Sequence, residues 1–270
     1  MHQREFMTSD GSRPPAAAAT VIKSVQLFGV PVQAATLSQA LDTVHRAIMR
    51  RESLQIGVVN AAKIVNMKRD PKLREAVHDA DVIYADGMSV VWASRILGKR
   101  LPERVAGIDL MTGVLKRGQQ HQYRVYCLGA NLQVVERVCD IIRSDYPGVV
   151  VAGWHDGYFS SDEEEAVAAA IRDAKPDVLF VAITTPKKEQ FMTRWGEFMM
   201  VPVVHGVGGS FDVVAGVVAR APELWRRLGL EWLYRVKQEP RRLWKRYLVT
   251  NVLFTKMLLV EILKSRVREH

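Results

Sequence analysis

Cysteine is scarce in this 270-residue sequence, which contains only Cys127 and Cys139. Two cysteines outside any histidine cluster exclude a disulfide framework and a zinc site, and they favour a reducing compartment. Long apolar runs are also missing, since polar and charged residues interrupt the best candidate at residues 248–263. We therefore expect no transmembrane helix. Residues 1–22 lack the apolar core of a signal peptide and are interpreted as a disordered lead-in.

Two familiar nucleotide-binding motifs are absent as well. The glycine cluster GVGGSFD at residues 206–212 has neither the GxGxxG spacing of dinucleotide sites nor the lysine of a P-loop. This argues against a nicotinamide or ATP site, and we expect no cofactor. Asp79-Ala80-Asp81 matches an Asp-x-Asp metal-binding pattern. We discount it and expect no metal, because it precedes a strand and so lies at the wrong edge of the sheet.

Seven apolar, β-branched runs are present, and amphipathic stretches with helical spacing lie between them. The runs cover residues 25–30, 54–59, 82–84, 124–128, 149–152, 178–183 and 201–204. This alternation predicts an α/β fold with a mostly parallel sheet and helices on both faces. We place this core at residues 23–218.

Ligands bind beyond the carboxyl ends of the strands in such a sheet, and polar or glycine residues follow several of the runs. Asp86 comes after the third run and before Gly87. It is our candidate general base, because an attacking hydroxyl must lose its proton. The alternative is a cap for a helix at residues 88–96. The amides of residues 206–212 are candidates for a phosphate cradle, with a tight turn as the alternative.

The net charge of +9 is concentrated near the end of the chain. Residues 219–270 contain thirteen Lys and Arg against five Glu, interleaved with Trp225, Trp232 and Trp244. This composition predicts a basic helical appendage that associates with anionic lipids, although a helix docked on its own core has a similar pattern. Arg104 lies in a loop before a predicted helix, where it can reach an anion or form a surface ion pair.

Five blocks occur in the same order as in the WecG/TagA/CpsF glycosyltransferases (glycosyltransferase family 26), which the sequence resembles from about residue 25 to about residue 247. The blocks are Asn60-Ala61, Ala85-Asp86-Gly87 and the segments at residues 103–110, 206–212 and 220–235. Five blocks in register are more specific than any single motif. The resemblance implies a Rossmann-like core with a C-terminal helical appendage.

The resemblance also implies an inverting, metal-independent transfer from a UDP-sugar to a polyprenyl-diphosphate-linked sugar. Asp86 matches the family's proposed base, and Asn60 and Arg104 match residues that contact the substrates. Appendage residues of the family are thought to close over the site and stabilise the departing UDP. The residues here that match the appendage positions are Arg235, Arg242 and Lys245, and Gly208, Gly209 and Asp212 complete the predicted substrate-binding set.

One residue departs from the family pattern. Many members have Pro-Lys-Gln-Glu where this chain has Pro-Lys-Lys-Glu, so that Lys188 replaces an active-site glutamine. The same variant is similar to the GumM branch, which implies glucose transfer in exopolysaccharide or other cell-surface polysaccharide assembly. We favour a glucose donor, with N-acetylmannosamine or N-acetylmannosaminuronic acid transfer to lipid-linked N-acetylglucosamine as the alternative.

A competing hypothesis is a non-enzymatic module whose basic tail binds anionic lipid or nucleic acid. Polar residues at successive strand ends argue against it, and we expect no nucleic-acid partner. Nucleotide-sugar oxidation is a second competitor, which the missing GxGxxG disfavours. We expect a cytoplasmic enzyme, peripheral on the inner face of the cell membrane, where anionic lipids and its acceptor lie. A homo-oligomer that packs through an edge of the sheet is also compatible with the sequence.

Overall fold

The computed structural model describes residues 22–268, apart from the side chains of residues 242 and 265–268. The predicted lead-in at residues 1–22 thus lies outside the described residues, except for Ile22. The strands in the described range are β1 (Ser24–Leu27), β2 (Val30–Gln33), β3 (Leu54–Val59), β4 (Val82–Ala85), β5 (Arg124–Gly129), β6 (Val150–His155), β7 (Val178–Ala182) and β8 (Val203–Gly206). The helices are α1 (Leu37–Arg50), α2 (Ala61–Met67), α3 (Pro71–His78), α4 (Met88–Ile96), α5 (Gly107–His121), α6 (Leu132–Asp145), α7 (Glu164–Ala174), α8 (Lys187–Met199), α9 (Ser210–Val214), α10 (Glu223–Arg227), α11 (Glu231–Gln238) and α12 (Pro240–Arg268).

Six strands form one parallel sheet in the order β4-β3-β8-β7-β5-β6. Helices cover both faces of this sheet, as alternate residues of β7 show. Val178 and Phe180 join the core formed with α1, α5 and α6. Leu179 and Val181 point the other way and join the core formed with α7 and α8. The predicted α/β class, with a mostly parallel sheet, is confirmed.

The prediction of a single strand at residues 25–30 is wrong. This run folds into a hairpin, because Phe28 and Gly29 both have left-handed backbones, with φ of 54° and 83°. Two such residues make the tight turn that suits the twist of antiparallel strands. β1 and β2 pair outside the main sheet, and Leu27 and Val30 are buried in a core shared with α2, α3 and α4. The pattern of apolar residues in this run did not indicate a turn.

The C-terminal segment is helical, and its last helix packs on the core. One face of α12 contacts α2 and the hairpin, where the Phe254 ring is buried 5.0 Å from the ring of Phe28. The opposite face leaves Trp244, Leu248 and Val252 exposed. In the described part of the chain, no helix is both long enough and apolar enough to cross a membrane.

Candidate active site

Three neighbouring strands bring distant segments of the chain together. The carboxyl ends of β4, β3 and β8 lie side by side, so that Asp86, Asn60 and the loop after Gly206 share one edge of the sheet. We call this edge the crevice. Asp86 N donates to Val59 O at 2.9 Å, which fixes the two strand ends in register. Because β3 and β8 are adjacent in space but not in sequence, the crevice is the topological switch point where open α/β sheets bind ligands.

Asp86 is held in the crevice by the start of α5. Its Oδ1 accepts a hydrogen bond from Gly107 N at 3.1 Å. The alternative interpretation, a cap for α4, is wrong, because Gly87 occupies that N-cap position without a side-chain hydrogen bond. Desolvation by the surrounding protein raises the pKa of Asp86, while the Gly107 hydrogen bond and the Arg104 charge oppose the rise. A raised pKa makes this carboxylate a stronger proton acceptor.

Arg104 is mostly buried and pairs with carboxylates from two parts of the chain. Its Nη2 lies 3.2 Å from Asp109 Oδ2 on α5, and its Nη1 lies 2.6 Å from Glu231 Oε2 on α11. Asp109 also pairs with Arg220, and Glu231 Oε1 lies 3.7 Å from Arg235 Nη2. We call these five residues the ionic bridge. The ion-pair alternative for Arg104 is thus the one that the structure shows, although the pairs are largely buried and join the loop before α5 to the C-terminal helices.

Asn60 is the N-cap of α2 and faces the turn at Gly87. Its Oδ1 accepts from Lys63 N at 3.0 Å, which satisfies one of the free amides at the helix start. A Cβ at Gly87 would lie 3.4 Å from Asn60 Cβ, which is van der Waals contact, so the two turns lie against each other. Among residues 22–268 the side-chain amide group of Asn60 has no acceptor. The side chain can cap its helix and donate to a ligand at once.

Lys188 is buried beside the crevice, in the first turn of α8. Its Nζ lies 3.2 Å from Glu189 Oε1, which also lies 2.9 Å from Lys63 Nζ. A Cβ at Gly206 would meet Lys188 Cε at 3.0 Å, so the lysine stem packs on the end of β8. Burial and the Lys63 charge lower the pKa of Lys188 to about 8, against the opposing charges of Glu189 and Asp86. Burial acts to raise the pKa of Glu189, but the two lysines hold it at about 2.

The loop after β8 has the glycine-dependent backbone that its sequence indicates. Gly208 has a φ of 55°, and no protein atom lies within 4 Å of the place a Cβ would occupy. Gly209 is the N-cap of α9, whose first turn contains Asp212. The amides of Val207 and Gly208 both donate to the carbonyl of Val181. These bonds favour the tight turn over the phosphate cradle, since two of the expected amides are already used.

The predicted appendage residues Arg235 and Lys245 lie in different environments. Arg235 pairs with Glu231 and is close enough for its charge to lower the pKa of Asp86. Lys245 is exposed on α12 and has no ion-pair partner among the described residues. The side chain of Arg242 lies outside the described residues.

Sequence reasoning missed three carboxylates of the site. Asp109, Glu231 and Glu189 each pair with a cation that was predicted to bind substrate. The signal was present, because Asp109 and Glu231 lie within two of the five family blocks and Glu189 directly follows Lys188. A buried cation needs a nearby counter-charge, so an acidic partner for each of these cations could have been predicted.

The Asp-x-Asp segment lies at the opposite end of the sheet. Asp81 Oδ2 accepts from Gln55 N at 2.7 Å, near the amino end of β3, and Asp79 accepts from Thr193. Over residues 22–268, no group of three or more His, Cys, Asp or Glu side chains is placed to hold a metal ion.

The model of the "Glycosyl transferase WecG/TagA/CpsF family" matches residues 25–268. The chain belongs to this family of glycosyltransferases. A relative from Bacillus spizizenii is 38% identical over 180 residues, which cover 67% of this chain and 69% of the relative. A second, from Bacillus subtilis, is 33% identical over 223 residues, which cover 82% of this chain and 86% of the relative.

Both relatives have the name N-acetylglucosaminyldiphosphoundecaprenol N-acetyl-beta-D-mannosaminyltransferase. Their names specify an N-acetylmannosamine donor group and a lipid-diphosphate acceptor. For this glycosyltransferase the comparisons therefore favour the alternative donor of the sequence analysis over glucose. The crevice, which contains Asp86 of the Ala85-Asp86-Gly87 block, is its candidate active site.

Proposed function

We propose that this glycosyltransferase moves N-acetylmannosamine from a UDP-linked donor to N-acetylglucosamine on a polyprenyl diphosphate, with inversion at the anomeric carbon. The two Bacillus relatives support the sugar and the acceptor. The position and environment of Asp86 support its proposed role as the general base. It is a carboxylate of raised pKa at the switch point of the sheet, oriented by Gly107 N.

In the proposed reaction, Asp86 accepts the proton of the acceptor hydroxyl as that oxygen bonds to the anomeric carbon. The bond to UDP breaks in the same displacement, so no covalent sugar–enzyme intermediate forms. Oδ1 of Asp86 is occupied by Gly107 N, whereas Oδ2 has no hydrogen bond within the described residues. We assign the proton to Oδ2.

Negative charge develops on the UDP diphosphate as it departs, and fixed cations near the crevice stabilise it. We propose Lys188 and Arg235 for this task, with Lys245 and Arg242 approaching from α12. Arg104 is already neutralised by Asp109 and Glu231, so its proposed role is to bind substrate while it positions α11 over the crevice. Gly208 and Gly209 leave open space for the donor, and Asp212 and Asn60 supply polar contacts.

The appendage at residues 219–270 is proposed to hold the catalytic core, residues 23–218, on the inner face of the cell membrane. The outer face of α12 supports this, because it combines exposed Trp244 and Leu248 with the exposed cation Arg241. Aromatic, aliphatic and cationic side chains on one helix face suit a surface of anionic lipids. The polyprenyl acceptor lies in that same membrane.

The decisive experiment compares UDP release by wild type and Asp86→Asn, with UDP-N-acetylmannosamine and a short-chain prenyl-diphosphate-N-acetylglucosamine acceptor. Asparagine retains the oxygen that accepts from Gly107 N, so the fold should persist while kcat falls by roughly 10² to 10⁴. Asp79→Asn removes an exposed carboxylate outside the crevice and should leave turnover unchanged. Equal rates for Asp86→Asn and wild type would remove Asp86 from the mechanism.

A donor panel tests the sugar separately. UDP-N-acetylmannosamine should give acceptor-dependent release, and UDP-glucose should not. Turnover of UDP-glucose alone would return the assignment to the glucose donor that the Lys188 variant indicates, without changing the role of Asp86.

A further inference from the structure

A second cavity lies away from the crevice, enclosed by the β1–β2 hairpin, α2 and α3. Its volume is about 210 Å³. The floor is apolar and consists of Phe28, Val30, Ile64 and Met67, all of them buried. Asn60, at the crevice, precedes the first residue of α2, whereas Met67 is its last residue, so the length of that helix, roughly 10 Å, separates the two places.

The rim of this cavity contains two cations and a histidine. Lys68, Arg74 and His78 line it, and all three are exposed. No carboxylate belongs to the lining. In the part of the chain that the structure describes, none of the three side chains forms an ion pair or a side-chain hydrogen bond. The rim thus offers uncompensated positive charge directly above an apolar floor.

Phe28, in the turn of the hairpin, shapes part of the cavity. Its φ of 54° lies in the left-handed region, which a bulky aromatic residue rarely adopts. Phe28 belongs to the buried cluster and to the lining of the cavity, and its ring packs on Phe254 of α12. A smaller turn residue would remove this part of the cavity floor.

We propose that the cavity binds the phosphate headgroup of an anionic lipid. Lys68 and Arg74 contact the phosphate, as charge-assisted donors do at other phosphate sites. The glycerol and the first methylenes of the chain lie on Phe28 and Met67. Free phosphate would use only the rim, whereas the lipid also buries the floor, and this combination of charge and apolar surface selects the lipid.

The site is distinct from sugar transfer and does not depend on the donor, the acceptor or Asp86. Because Phe28 in the cavity floor packs on Phe254, an occupied cavity also stiffens the contact between the hairpin and α12. Lipid binding there would therefore reinforce the attachment of α12 to the core.

The test uses the full chain and dihexanoyl phosphatidic acid below its micelle concentration, so that membrane binding by α12 does not contribute. Calorimetric titration should give saturable binding that weakens roughly tenfold or more in Lys68→Gln/Arg74→Gln, since two charge-assisted contacts are lost. Arg69→Gln/Lys72→Gln is the matched control, because these cations are exposed on the same segment but do not line the cavity. It should bind within about twofold of wild type.

Two comparisons decide the ligand class. Inorganic phosphate should bind far more weakly than phosphatidic acid, and Met67→Trp, which fills the floor, should abolish lipid binding with an unchanged circular dichroism spectrum. Equal affinity for inorganic phosphate would show a plain anion site and overturn the lipid assignment. Equal loss in both double variants, or no saturable binding by wild type, would overturn the site itself. UDP release remains a separate readout and should be unchanged in Lys68→Gln/Arg74→Gln assayed with a soluble acceptor.

Discussion

At the scale of single residues, Lys188 is the unusual feature of the crevice. Its ammonium shares the single oxygen Oε1 of Glu189 with Lys63 and with the hydroxyl of Thr185. The cluster of two lysines and one glutamate therefore has an excess positive charge in a buried place. Such a charge is costly unless a ligand or Asp86 compensates it. A substrate diphosphate is the compensation that we propose.

Replacement of Lys188 by the family's glutamine tests this role through pH. Wild-type kcat/KM should fall as the pH rises through about 8, because the folded lysine loses its proton there. Lys188→Gln has no charge to lose, so it should lack this alkaline decline and be roughly tenfold less active at neutral pH. The pH profile is measured from about pH 6 to about pH 10, with Lys187→Gln as the adjacent control. An identical alkaline limb in Lys188→Gln would contradict the assignment.

At the scale of elements, Asn60 links the stability of α2 to the contents of the crevice. Asn60→Ala removes the cap and should lower the free energy of unfolding by about 1 kcal/mol. Asn60→Ser retains a capping oxygen and should unfold almost as wild type does in urea. If the amide group contacts substrate, both variants raise KM although only alanine is destabilised. A normal KM in Asn60→Ser would show that the cap is its whole role.

The elements show which features a sequence pattern can predict and which it cannot. β3, β7 and α1 follow directly from apolar runs and helical spacing, because burial on one or both faces imposes those periods. The hairpin turn at Phe28 and Gly29 was missed, since a left-handed phenylalanine leaves no local signal. The ionic bridge was also missed. Arg104 and Glu231 are far apart in sequence, and only the packing of α11 on the core brings them together.

At the scale of the whole molecule, α12 presents two apolar faces, one buried against the core and one exposed. Phe254 and Leu243 are buried against the protein, whereas Trp244, Leu248 and Val252 face outward. The outer face is continuous over several turns and has cations on the same side. An apolar stripe of this kind indicates an interaction surface rather than scattered exposed residues.

Leu248→Glu tests that surface. Flotation with vesicles of phosphatidylcholine and phosphatidylglycerol should show binding roughly tenfold weaker than for wild type, because an apolar contact is replaced by a repelled charge. Leu132→Glu on α6 is the matched control, since Leu132 is 49% exposed and Leu248 is 55% exposed. Equal flotation of both variants would place the membrane contact elsewhere.

The central position of β8 has a consequence for synthesis of the chain. β3 with β4, and β5 with β6 and β7, can pair as soon as they leave the ribosome, but only β8 joins these two groups. Until residue 206 has emerged, the nascent protein presents two unpaired strand edges that the complete sheet lacks, those of β3 and β7. Open edges pair readily with other chains. A pause in translation just before β8 would therefore prolong the most aggregation-prone stage in the life of this enzyme.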